Sequence, residues 1–175
     1  MRETIQNLYT RYVQAANSLQ SAFLLAVRLY WGWQFVQTGW GKLHRLPQVV
    51  EFFSSLGIPA PAVNAYFVSG LELVGGILLA LGLGGRIIAL PLTIDMIVAY
   101  LTADREALGF IFSDPGKFYN ADPFTFLMAS LVVLIFGSGR FSIDALLERF
   151  WRSAASHAKP SASSSVTAER RRVVG

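Results

Sequence analysis

Apolar residues in this chain gather into long runs separated by short polar punctuation. Runs of that length predict helices able to cross a bilayer, which takes about 20 residues. Four are visible, at about 21–40, 64–83, 86–102 and 123–138. Ahead of the first, residues 1–20 are polar but place Ile5, Leu8, Tyr12 and Leu19 on one helical face, predicting an amphipathic helix in the membrane interface. A second amphipathic piece, about 47–56, starts at Pro47 and stops at Gly57 and the Pro59-Ala60-Pro61 turn. A third follows the last span, where Ile143, Leu146, Leu147, Phe150 and Trp151 share a face. The turn at Gly84-Gly85-Arg86 is so short that the second and third spans must form an antiparallel hairpin. Asp122-Pro123 reads as an N-cap followed by proline in the first helical turn. The expected fold is therefore all-α: a four-helix transmembrane bundle over 21–152 with interfacial helices. The Ser/Ala/Arg-rich tail, 153–175, is expected to be disordered and basic.

Composition supports a membrane setting. Of 175 residues, 53% are hydrophobic and only 15% charged, with a mean hydropathy of +0.45; soluble domains carry about 25% charged residues. The net charge of +4 is uneven. With four spans, ten basic residues (Arg2, Arg11, Arg86, Arg140 and six beyond) fall on one side, and Lys42, Arg45, Arg105 and Lys117 on the other. That asymmetry predicts cytoplasmic termini. It also makes nucleic acid a poor partner for a chain mostly embedded in lipid. There is no cysteine, which excludes thiolate metal sites, iron–sulfur clusters and disulfide chemistry within the chain. The two histidines, His44 and His157, lie outside the spans, so no membrane haem is expected. No metal motif, phosphate loop or catalytic triad is present, and no intrinsic cofactor is expected.

Three ionisable residues interrupt the apolar runs: Arg28, Glu72 and Asp95. Each costs about 2.5–3.5 kcal/mol at mid-bilayer on the lenient scale, so they should face the bundle interior. Arg28, Gly32, Phe35, Gly39 and Lys42 form one stripe; Ser69, Glu72, Gly76 and Ala80 form another. Small residues let such stripes pack closely. The expectation is that Arg28 and Glu72 pair directly, with Asp95, one turn after Pro91, nearby. Such a cluster either holds a proton or a polar head group such as that of a quinone, or only locks the helices together.

In order and spacing, several segments resemble the DoxX family of small bacterial membrane proteins: LLAVRL, TGWGKL, the stretch FFSSLGIPAPAVNAYFVSGLELVGGILLALGL, the Arg86 turn, and GSGRFSIDAL. The resemblance spans about 22–147. It marks Arg28, Gly39, Lys42, Gly57, Pro59, Glu72, Gly76, Arg86, Gly139, Arg140, Ser142 and Asp144 as family-pattern positions, whereas Asp95 departs from the apolar third span usual in the family. It implies a four-helix inner-membrane protein, with some members linked to quinone-dependent or membrane-associated oxidoreductase complexes. Lacking a redox centre, the chain would then need a partner subunit that carries one. The alternatives are a non-catalytic assembly or stability subunit of a membrane complex and a small proton-coupled transporter. Besides the lipid bilayer, the expected partner is another protein subunit or, in a homo-oligomer, a second copy of the chain.

Overall fold

The computed structural model describes residues 2–157, and the sequence beyond 157, with most of the expected disordered tail and Arg170–Arg172, lies outside the described residues. All regular structure among the described residues is helical. Eight helices follow in order: α1 (Arg2–His44), α2 (Leu46–Ser55), α3 (Pro61–Leu81), α4 (Gly85–Thr102), α5 (Arg105–Gly109), α6 (Pro115–Tyr119), α7 (Pro123–Phe136) and α8 (Ile143–His157).

The first difference from expectation lies in α1. The interfacial helix expected over 1–20 and the span expected over 21–40 are one uninterrupted helix of 43 residues, roughly 65 Å long at 1.5 Å per residue. The reason is local: no proline occurs in the segment, and the first glycine is Gly32. The boundary survives in burial alone. Positions 4–20 are exposed but for a half-buried Val13, whereas Ser21, Leu24, Arg28, Gly32, Phe35 and Gly39 are buried at three- and four-residue spacing.

That stripe meets α3 in an antiparallel pairing so close that side chains would not fit. A Cβ on Gly32 would lie 2.8 Å from the Gly76 carbonyl oxygen, and one on Gly76 would lie 2.6 Å from that of Gly32. A Cβ on Gly39 would meet the Ser69 carbonyl at 2.7 Å and strike the Leu73 backbone nitrogen. The second extensive pairing joins α4 to α7, where Thr93 Oγ1 donates to Ser130 Oγ at 3.0 Å. Phe35, Leu79, Leu92, Met96, Tyr100, Leu127 and Val133 fill the core between the pairs. Tyr100 also donates its hydroxyl to the Phe118 carbonyl at 2.7 Å, tying the connection after α4 back to the bundle.

Punctuation follows the sequence. Pro61 opens α3, and Gly82 (φ +66) and Gly84 (φ +59) take the left-handed conformation that reverses the chain into α4. α3 and α4 are long and apolar enough to cross a membrane; α7 is apolar but has 14 residues. Their outward faces carry Phe67, Val74, Ile77, Ile87, Leu90, Ile94 and Leu101, an exposed apolar surface that suits lipid rather than water. Among the described residues, those from Leu146 onward form a separate unit from those up to Ala145; within it Arg152 pairs with Glu148 one turn earlier on α8.

Candidate functional site

The buried charges do not form the expected cluster. Arg28 and Glu72 do not pair. The antiparallel register set by Gly32–Gly76 and Gly39–Ser69 brings Arg28 beside Gly82, at the C-terminal end of α3, and sets Lys42 against Glu72. Depth within each apolar run suggested that Arg28 and Glu72 were level, but the backbone contacts of the glycines shift α1 along α3. Polar positions near the centre of a hydrophobic run need not be level in the folded pair.

Two polar sites result. In the first, Arg28 is completely buried and donates from Nη2 to the Phe141 carbonyl at 2.5 Å; its Nε and Nη1 have no hydrogen-bond partner. Gly82 leaves it room, since a Cβ there would overlap Nη1. Close by, Asp144 accepts from the backbone N–H of Gly84 (2.8 Å) and Gly85 (3.0 Å) and from the Ser138 hydroxyl (2.9 Å). Its own N–H returns a bond to the Gly82 carbonyl at 3.1 Å. Asp144 thus caps α4 from sixty residues away, a carboxylate set against free N–H groups at a helix N-terminus. Burial alone raises its pKa, but the two backbone donors, Ser138 and the Arg28 charge outweigh burial and hold it below the ordinary carboxylate range.

Other family-pattern residues serve the same end. Gly139 and, from the same motif, Gly137 adopt positive φ, of +72° and +81°, which lets the segment after α7 turn back. Ser142 Oγ accepts from the Ala145 N–H at 3.2 Å and so caps α8, while Arg86 donates to the Ile135 carbonyl at 3.1 Å. Arg140 is exposed and makes no such contact. The motif GSGRFSIDAL is therefore a clamp that fastens the end of α7 to the α3–α4 turn and to Arg28.

The second site lies where α1, α2, α3 and α4 meet. Lys42 Nζ pairs with Glu72 Oε1 at 2.6 Å; the lysine side chain is 34% exposed and the glutamate 3%. A cavity of about 210 Å³ opens beside the pair, walled by Val49, Phe52, Phe53, Leu56, Val68 and Met96, with Asp95 at its edge. Glu72 Oε2 and Asp95 Oδ2 are buried without hydrogen-bond partners, and Asp95 lies within electrostatic reach of both Glu72 and Lys42. Gly57, at φ +72, ends α2, and the Pro59 carbonyl accepts from Asn64 Nδ2 at 2.6 Å, which fixes the loop over this cavity. From the sequence, Lys42 shares the stripe of Arg28, Gly32, Phe35 and Gly39 but has no partner assigned to it. The glycine register carried the missing signal: Gly39 packs against the Leu73 backbone as well as Ser69, so the long side chain of Lys42, on the same stripe, reaches back to Glu72.

An all-helical bundle with an apolar outer face and a buried, incompletely paired polar site is an integral membrane protein architecture. The chain belongs to the DoxX family, whose profile matches residues 23–105. It is 31% identical over 83 residues to CatD of Bacillus subtilis strain 168, a protein named provisionally as an oxidoreductase; that match covers 47% of this chain and 60% of the relative. It is 30% identical over 138 residues to the uncharacterized membrane protein Rv3486 of Mycobacterium tuberculosis, covering 72% of this chain and 82% of that one. An uncharacterized protein of Haemophilus influenzae is 28% identical over 132 residues, covering 73% and 85%. No solved structure matches the chain.

Proposed function

We propose that the protein is the quinone-binding membrane subunit of an oxidoreductase system. The observation that carries this reading is the Lys42–Glu72 pair at the wall of an apolar cavity that Asp95 also lines, with Glu72 Oε2 and Asp95 Oδ2 buried without hydrogen-bond partners. Uncompensated buried acceptors are costly, and a ligand that shares protons with them relieves that cost. The residues fit a quinone head group: Phe52 and Phe53 offer apolar faces, Lys42 an N–H donor for a carbonyl oxygen, and the two carboxyl groups proton-exchange partners. Bound there, a quinone would supply the two-electron, two-proton chemistry that the side chains of this chain lack. Electrons would come from a partner subunit, since the chain has no cysteine and no metal-holding group occurs among the described residues. The name of CatD agrees with this class of reaction.

Topologically the reading takes α1 from about Ser21 to His44, α3, α4 and α7 as four spans of the inner membrane with both termini cytoplasmic. Its support is the onset of burial at Ser21, the apolar faces of α3 and α4, and ten basic residues on the terminal side against four.

The test uses the full chain purified in maltoside micelles. Extracted lipid should contain quinone in near-stoichiometric amount, and added decylubiquinone should raise the unfolding temperature saturably. Lys42→Met and Glu72→Gln should each abolish that rise. Absence of both co-purified quinone and any saturable shift would reject the reading and leave a non-catalytic assembly role.

A further inference from the structure

A second chamber, of about 280 Å³, adjoins the first and shares Lys42, Glu72, Phe52, Met96, Ala99 and Ala103 with it, while Thr38, Asp104, Asp122, Pro123 and Phe126 line it alone. Its charges do not balance. Lys42 is committed to Glu72, and among the described residues no ion pair involves Asp104 or Asp122. Lys117, from the same connection, sits over the Phe110 ring at 3.8 Å instead.

Both aspartates occupy N-cap positions, of α5 and α7, where a carboxylate ordinarily accepts from the helix behind it; neither makes that bond. Their oxygens therefore remain available, with Asp104 half-buried and Asp122 exposed at the rim. Burial, and after it the Asp122 charge, raise the Asp104 pKa above the ordinary value, so the two acids repel one another without a cation to relieve them. Glu72, 2% exposed, contributes to the same wall and retains an oxygen with no hydrogen-bond partner.

The remaining surface says what kind of cation fits. Phe52, Phe126, Met96 and Pro123 make an apolar, partly aromatic wall. No three acids among the described residues are gathered closely enough to chelate a metal ion. A hydrated inorganic ion gains nothing from such a wall, whereas an organic ammonium gains both the carboxylate charge and contact with ring faces.

We propose that this chamber binds an organic monocation with apolar substituents, its charged centre held by Asp104 and Asp122 and its body against Phe52 and Phe126. A free amphipathic amine and an ethanolamine lipid head group both present this chemistry. The inference stands on the second chamber alone and does not depend on a quinone in the first.

Full-length protein in maltoside micelles free of amine lipid is titrated with tetraphenylphosphonium, and neutral triphenylphosphine oxide serves as the shape control. The cation should bind saturably, one per chain, and the neutral compound should not. Asp104→Asn combined with Asp122→Asn should weaken cation binding tenfold or more, each decade being about 1.4 kcal/mol, while the decylubiquinone shift persists wherever the parent protein shows one. Asp122→Glu, which restores the charge, should bind like the parent; this second variant separates lost charge from lost fold. Displacement of the cation by added phosphatidylethanolamine assigns the site to a lipid head group, and lack of displacement assigns it to a free amine. Equal binding of cation and neutral control, or undiminished binding in a folded double variant, would overturn the proposal.

Discussion

At the scale of single residues, the informative contrast is between the two buried cations. Lys42 has a carboxylate partner in contact, at 2.6 Å, whereas Arg28 has a backbone carbonyl and only the more distant charge of Asp144. Breaking a buried ion pair by removing one partner costs about 3–5 kcal/mol, because the survivor is stranded in low dielectric. Lys42 is one-third exposed, so screening reduces its share, and a coupling of about 1–3 kcal/mol is expected between Lys42→Met and Glu72→Gln. Each single change should lower stability in detergent, and the double change should recover part of the loss. By contrast, Arg28→Met and Glu72→Gln should be additive to within about 0.5 kcal/mol, as sites with no shared partner are. Coupling in the second cycle and none in the first would restore the pairing that the sequence suggested and the structure rejects.

At the scale of elements, glycine decides how α1 and α3 meet, and the neighbouring glycines of α3 are not equivalent. A Cβ on Gly76 collides with backbone atoms, the Gly32 carbonyl at 2.6 Å and the Val36 nitrogen at 2.8 Å; a Cβ on Gly75 meets only the end of the Leu92 side chain, at 3.1 Å. Backbone cannot turn aside as a leucine can. Gly76→Ala should therefore cost the upper part of the roughly 1–3 kcal/mol typical of overpacking, and Gly75→Ala clearly less, with helix unfolding in detergent as the measure. Equal losses would mean that the two helices slide freely. The clamp gives a pH prediction. Asp144 has a folded-state pKa below its unfolded value of about 3.9, so its contribution is present above that value and disappears as pH falls through the folded pKa. Unfolding temperature should drop on acidification below about pH 4, and Asp144→Asn should start lower and lose that limb of the profile. A variant as stable as the parent at neutral pH would remove the clamp from the account.

At the scale of the whole molecule, reporter fusions after Gly175 and within 104–120 should report opposite sides of the membrane, the C-terminal one cytoplasmic; a periplasmic signal from it would invert the proposed topology. Shortening the chain to begin near Ala16 should leave the unfolding temperature unchanged, because none of positions 4–20 of α1 is fully buried and only Val13 is even half-buried. Much of this architecture is legible from the sequence, for a physical reason. Run length, proline and glycine act locally, so Pro47, Pro61, Pro123 and Gly82 mark helix boundaries within a few residues of where they occur. The small-residue stripes on α1 and α3 are legible too, since helical periodicity fixes which residues share a face. Two expectations needed correction, the first for a local reason and the second for a tertiary one. Whether residues 1–20 and 21–40 are separate helices depends on a break that the sequence never supplies, and a change in polarity does not bend a backbone. Which buried charge meets which depends on the axial register between α1 and α3. That register is set where Gly32 touches Gly76 and Gly39 touches Ser69, contacts between positions about 30 to 44 residues apart. The sequence alone determined the helices, their apolar faces and the inventory of buried charges. Tertiary packing alone joined Lys42 to Glu72 and sent Arg28 to the clamp, because a shift of a few residues along a helix changes a side chain's partner without changing the face it lies on.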